Sequence, residues 1–85
     1  MRRSIDDYPA GPADVPPGLD DDIAPLSWAI AISDDYDDGE PRVVLTVEEV
    51  GRPGAGHVAH LSPTVARRLR TALADALREI GEPTS

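Results

Sequence analysis

Eighty-five residues with 16 acidic side chains, 8 arginines and no Lys, Cys, Asn, Gln or Phe leave room for one small domain at net charge −8. The missing residue types remove disulfides, thiolate metal sites, thiol nucleophiles, Schiff-base chemistry and the lysine of a phosphate-binding loop. The acidity argues against general binding to a nucleic-acid backbone, which runs on basic surface. Arginine as the sole strong base, with abundant Ala, Asp, Pro, Gly and Val, points to a GC-rich genome of the actinobacterial or phage kind.

Met1-Arg2-Arg3 is followed by Ser4, Ile5, Asp6 and Asp7 rather than by an apolar run, so no secretory signal is expected. The longest apolar stretch, Trp28 to Ile32, is too short to span a bilayer. A cytoplasmic chain without a membrane role is expected.

Residues 1–25 read as a disordered, acidic, Pro-rich tail. They carry Pro9, Pro12, Pro16, Pro17 and Pro25, with Asp6, Asp7, Asp14 and the run Asp20-Asp21-Asp22. Their larger apolar side chains (Ile5, Val15, Leu19, Ile23) show no period, and so few cannot offset the cost of ordering the chain.

Order is expected from Leu26. Leu26, Trp28, Ile30 and Ile32 alternate with Ser27, Ala29, Ala31 and Ser33, the signature of a half-buried strand. Asp34 to Pro41 breaks it with a charged loop. Arg42 to Val50 alternates again, with Val43, Leu45 and Val47 facing the core. Gly51-Arg52-Pro53-Gly54-Ala55-Gly56 makes a hairpin loop, and His57 to Leu61 a short third strand.

Ser62 and Pro63 supply a helix cap and a first helical residue. Val65, Ala66, Leu69, Ala72, Leu73, Ala76, Leu77 and Ile80 share one arc at helical spacing, and Gly81 with Pro83 ends the helix. The expected fold is α+β: a three-stranded antiparallel β-meander followed by one C-terminal α-helix packed on one sheet face. It spans 26–82 as a βββα domain, with residues 83–85 as a C-terminal tail.

This layout leaves one sheet face uncovered. That face would show Ala29, Ala31, Val44, Thr46, Val50 and Val58, small or β-branched residues less charged than a water-facing sheet usually carries. A domain of this size is also marginal alone. Both points make these six residues, with Arg67 and Arg78 aligned on the helix, the candidate partner-binding set. A second copy or another protein is the preferred cover; the tail folding back through Val15, Leu19 and Ile23 is the alternative.

Chemistry-bearing patterns fall short. Counting from Asp34 as a calcium loop puts Tyr36 at position three and Leu45 at position twelve, where acidic ligands belong. His57 and His60 are three apart on a strand and so point to opposite faces. Ser62, the one serine near a histidine, is explained by capping. The glycines at 51, 54 and 56 lack the lysine and helix of a phosphate loop. Glu48 and Glu49 are adjacent and point apart. The arginines of the helix form no single basic stripe and have no interleaved aromatics.

No enzyme activity, metal or cofactor is therefore expected. The leading expectation is a small non-enzymatic protein-interaction module, a homodimeric adaptor or regulatory subunit whose partner is a protein or a second copy, with no direct nucleic acid contact. The alternative is an acidic mimic or antitoxin-like protein that blocks a nucleic-acid-binding or toxin surface.

Overall fold

A computed structural model describes residues 1–19, 22–52 and 54–83. Asp20 and Asp21 of the acidic run, Pro53 of the hairpin loop and residues 84 and 85 of the C-terminal tail lie outside the described residues. The chain forms one antiparallel sheet in the order β1 (Arg2–Tyr8), β2 (Leu26–Ser33), β3 (Arg42–Glu49), β4 (His57–Leu61), followed by helix α1 (Pro63–Glu79). The class is α+β, but the sheet has four strands, not three.

The correction lies at the amino terminus. Residues 2–8, assigned to a disordered tail, pair with β2 as an edge strand, and Pro12–Asp14 adds a 3-10 turn. Every side chain of β1 is exposed, so no hydrophobic alternation marks it. Its backbone holds it: the Asp34 N–H donates to the Met1 carbonyl at 3.2 Å at the strand end. A bulge between Ser4 and Asp6 shifts the register, so that Arg2 and Arg3 oppose Ser33 and Ile32 while Asp7 and Tyr8 oppose Ala29 and Trp28. Tyr8 stacks on Trp28 with ring centroids 5.5 Å apart. Its hydroxyl donates to Asp14 at 2.6 Å, and Asp14 also accepts from the Gly11 N–H at 2.9 Å. The Gly11 bond first and the Tyr8 bond second hold the Asp14 carboxyl below its ordinary range. Aromatic stacking and a charge-assisted bond thus do what an apolar stripe does elsewhere.

The other strands follow their alternation without slips. Trp28, Ile30 and Ile32 oppose Val47, Leu45 and Val43, which in turn oppose His57, Ala59 and Leu61. These residues make the front face, beneath α1. Ala29, Ala31 and Ser33 with Thr46, Val44 and Arg42 make the back face, continued by Val58 and His60.

The helix begins as its sequence demands. Ser62 accepts from the Val65 N–H at 3.2 Å, and Pro63 sits where no N–H is needed. At the far end Gly81 takes a φ of 82°, which a glycine adopts without steric cost, and the Glu82 N–H donates to the Leu77 carbonyl at 2.9 Å. α1 approaches β3 and β4 alike.

Candidate interaction surface

The two sheet faces differ in how well they are covered, and not in the sense the alternation implied. Val44, on the back face, is 1% exposed, and Ala31 and Ser33 beside it are buried. The loop between β2 and β3 caps this end. The Tyr36 hydroxyl and His60 Nδ1 share a hydrogen bond at 2.8 Å, and the Arg42 guanidinium lies 4.6 Å from the centre of the Tyr36 ring. His60 is directly opposite Val44, and Arg42 is two residues away on the same face. Two bonds from Arg42 to Asp38, at 2.7 and 3.0 Å, fix the arginine. That pairing, with the Glu40 N–H, lowers the Asp38 pKa to about 2.

On the front face the cover is incomplete. At about 100° per residue, Ala66, Leu73 and Leu77 mark the centre of the apolar arc of α1. Arg70 and Ala74 lie to one side; Val65, Leu69, Ala72, Ala76 and Ile80 lie to the other. Ala66 and Ala74 are half-buried, whereas the whole opposite flank is exposed. Leu73 is 57% and Ile80 73% exposed. Only Ala66 and Ala74 of the helix are half-buried, and the large aliphatic side chains Leu69, Leu73 and Leu77 stay partly in water at the rim of the helix–sheet gap. Between helix and sheet runs an apolar groove of about 340 Å³. Ile30, Val43 and Leu61 line it from the sheet, and Leu69, Leu73 and Leu77 from the helix. Among the described residues Arg70 is the one ionisable side chain in its lining, and the rest of that lining is aliphatic.

The candidate residues from sequence scatter accordingly. Ala31 and Val44 are covered within the chain, and Ala29 and Thr46 are half-buried. Val50 and Val58 are exposed. Arg67 and Arg78 line a shallow hollow along one side of α1 with Arg70, Thr71 and Ala74, but eleven residues of helix, about 16 Å, separate them. Arg78 pairs with Asp75 at 3.2 Å, and Arg67 leans on Thr64. Such exposed pairs are worth well under 1 kcal/mol, ~0.3–0.5 kcal/mol for helical neighbours.

His57 and His60 stand on opposite faces, and among the described residues no group of three or more His, Asp or Glu is placed to hold a metal. Among the same residues no helix is long and apolar enough to cross a membrane.

A repeated string that has no physical account in the sequence alone gains one from the structure. Asp-Asp-Tyr occurs at 6–8 and at 34–36. Each copy delivers a tyrosine to a different face: Tyr8 onto Trp28 in front, Tyr36 onto His60 behind.

No family model matches the chain, and neither a curated protein nor a solved structure is significantly similar to it.

Proposed function

We propose that the chain is a small non-enzymatic protein-interaction module of the cytoplasm, working as a homodimer in an adaptor or regulatory role. The observation that carries this reading is the exposed flank of α1. Leu69, Leu73 and Ile80 lie in water on the most regular element of the chain, although their spacing is that of a buried face. A contiguous exposed aliphatic ridge beside an apolar groove is the mark of an interaction site. Among the described residues only Val44 and Ala31 are buried apolar residues, a small core for a domain without disulfides. The non-catalytic part of the reading is supported by the aliphatic lining of the groove. Sedimentation equilibrium over a range of micromolar concentrations tests it. A species of twice the 9.0 kDa chain mass is expected. A chain that stays monomeric at high micromolar concentration contradicts the homodimer.

One observation favours the second reading, an acidic mimic that blocks a nucleic-acid-binding or toxin surface. β1 carries Asp6 and Asp7 on ordered, exposed backbone, and Asp37 is exposed at the β2–β3 loop. Mimicry needs carboxylates held on regular backbone: Asp6 and Asp7 sit on a strand, and the Asp6 carboxylate accepts from the Asp7 N–H. The variant Asp6→Asn, Asp7→Asn, Asp37→Asn separates the readings: it abolishes capture of a basic partner if mimicry is the function and leaves it intact otherwise.

A further inference from the structure

The two edges of the sheet are built differently, and the difference names the mode of self-association. An exposed edge strand is a template for pairing with another chain, and proteins guard such edges with charges and bulges. β1 is guarded. It holds Arg2, Arg3, Asp6 and Asp7 and carries the bulge at Ile5. β4, His57-Val58-Ala59-His60-Leu61, has no Lys, Arg, Asp, Glu or Pro and pairs with β3 without a register shift.

The backbone phase of β4 follows from one bond. The Val50 N–H donates to the Pro25 carbonyl at 3.1 Å, which makes that opposed pair a hydrogen-bonded one. Alternation along the unshifted register gives Ala31 and Val44 the same status, so Val44 spends its N–H and C=O on β2. Val43, Leu45 and Val47 therefore turn theirs toward Leu61, Ala59 and His57. Val58 and His60 are left presenting N–H and C=O outward from the free edge.

We infer that a second copy adds its β4 antiparallel to this edge, forming one continuous sheet across a two-fold axis. This inference rests on the homodimer reading above and specifies its interface. The helices support it independently. Strands pair about 4.8 Å apart, so the axis would stand roughly 2.4 Å outside β4 and roughly 4.8 Å from the line between β3 and β4. α1 contacts both of these strands, and we take its axis to run over the line between them. The two helices then run side by side about 10 Å apart, at the upper end of the 8–10 Å at which helices pack. The helix flank exposed in one copy, Leu69, Leu73 and Ile80, gains a partner of its own kind. Docking of a second helix over the β1–β2 half of the front face fits less well, because β1 places Arg3 and Asp6 there.

The experiment compares two proline variants with wild type by sedimentation equilibrium, with circular dichroism as a check on folding. Val58→Pro removes an outward N–H and leaves the β3–β4 ladder intact; Ser4→Pro makes a matched change on the guarded edge. The wild type is expected to dimerise, Ser4→Pro to retain that affinity within about threefold, and Val58→Pro to lose at least tenfold. Leu73→Glu, on the helix and 57% exposed in the free chain, is expected to lose at least tenfold while keeping its helical signal. A wild-type dimer that Val58→Pro leaves unchanged overturns the β4 mode and spares the homodimer reading. A monomeric wild type overturns both. Loss of the dimer in Ser4→Pro as well as in Val58→Pro also overturns the assignment to β4.

Discussion

The front and back faces of this sheet show that residue size and burial can run in opposite directions. The front carries Trp28, Ile30, Leu45 and a helix, and yet Trp28 remains exposed. The back carries Ala31, Ser33 and Val44, and these are the buried residues among those described. Beside them the β2–β3 loop is tied down to this face, with Tyr36 held by His60, which lies opposite Val44, and by Arg42. Large side chains in front need a second layer as wide as the sheet, and one helix does not provide it: Trp28, Leu69, Leu73 and Leu77 all stay exposed.

The comparison can be broken most severely at Val44. Val44→Asp places a carboxylate in a fully covered position without a partner, and the expected outcome is loss of cooperative unfolding in circular dichroism melts. Val44→Ala is milder: about 2 kcal/mol by urea denaturation, from the lost transfer free energy and the cavity left behind. The contrast with the front face is direct. Leu73→Ala removes more carbon, yet under dilute, monomeric conditions it is expected to cost only about 0.5 kcal/mol, because Leu73 is mostly in water.

Ser62→Ala removes the bond to the Val65 N–H and is expected to cost about 1 kcal/mol, which sharpens the claim that α1 is anchored at its start. The smallest effect concerns the loop that closes the back face. Asp38 is held by Arg42 to a pKa of about 2 against an ordinary 3.8. A lowered carboxylate stabilises fully above its ordinary pKa and loses that contribution as the pH falls toward the lowered one. Stability of the wild type therefore declines between pH 4 and 2 by a component that Asp38→Asn lacks, a difference that urea midpoints measured over that range would reveal. Equal slopes for the two chains would remove Asp38 from the closure of the back face.

What the sequence made legible depended on how each element earns its place. β2, β3, β4 and α1 declare themselves because alternation, turn glycines and the Ser62-Pro63 start act locally. β1 stayed hidden because its residues bury nothing: Arg2-Arg3-Ser4-Ile5-Asp6-Asp7-Tyr8 joins the sheet through backbone pairing, which leaves no hydrophobic trace. The exposure of the α1 flank stayed hidden for a related reason. The apolar arc of α1 predicts that a face is buried, but not whether its own sheet or another chain does the burying. Alternation likewise separated the two sheet faces correctly, with Ala31 and Val44 together on one of them, and gave no sign that Tyr36 would cover them.

The absence of cysteine allows a direct test of the central claim, that the exposed flank of α1 meets the same flank of a second copy beside the β4 edge. Leu69→Cys puts one thiol on that flank, and Ser4→Cys puts one on the guarded edge, each in an otherwise cysteine-free chain. Under mild oxidation, rapid formation of a disulfide-linked dimer by Leu69→Cys and not by Ser4→Cys is the expected result. Linkage of Ser4→Cys at an equal or greater rate would contradict the account.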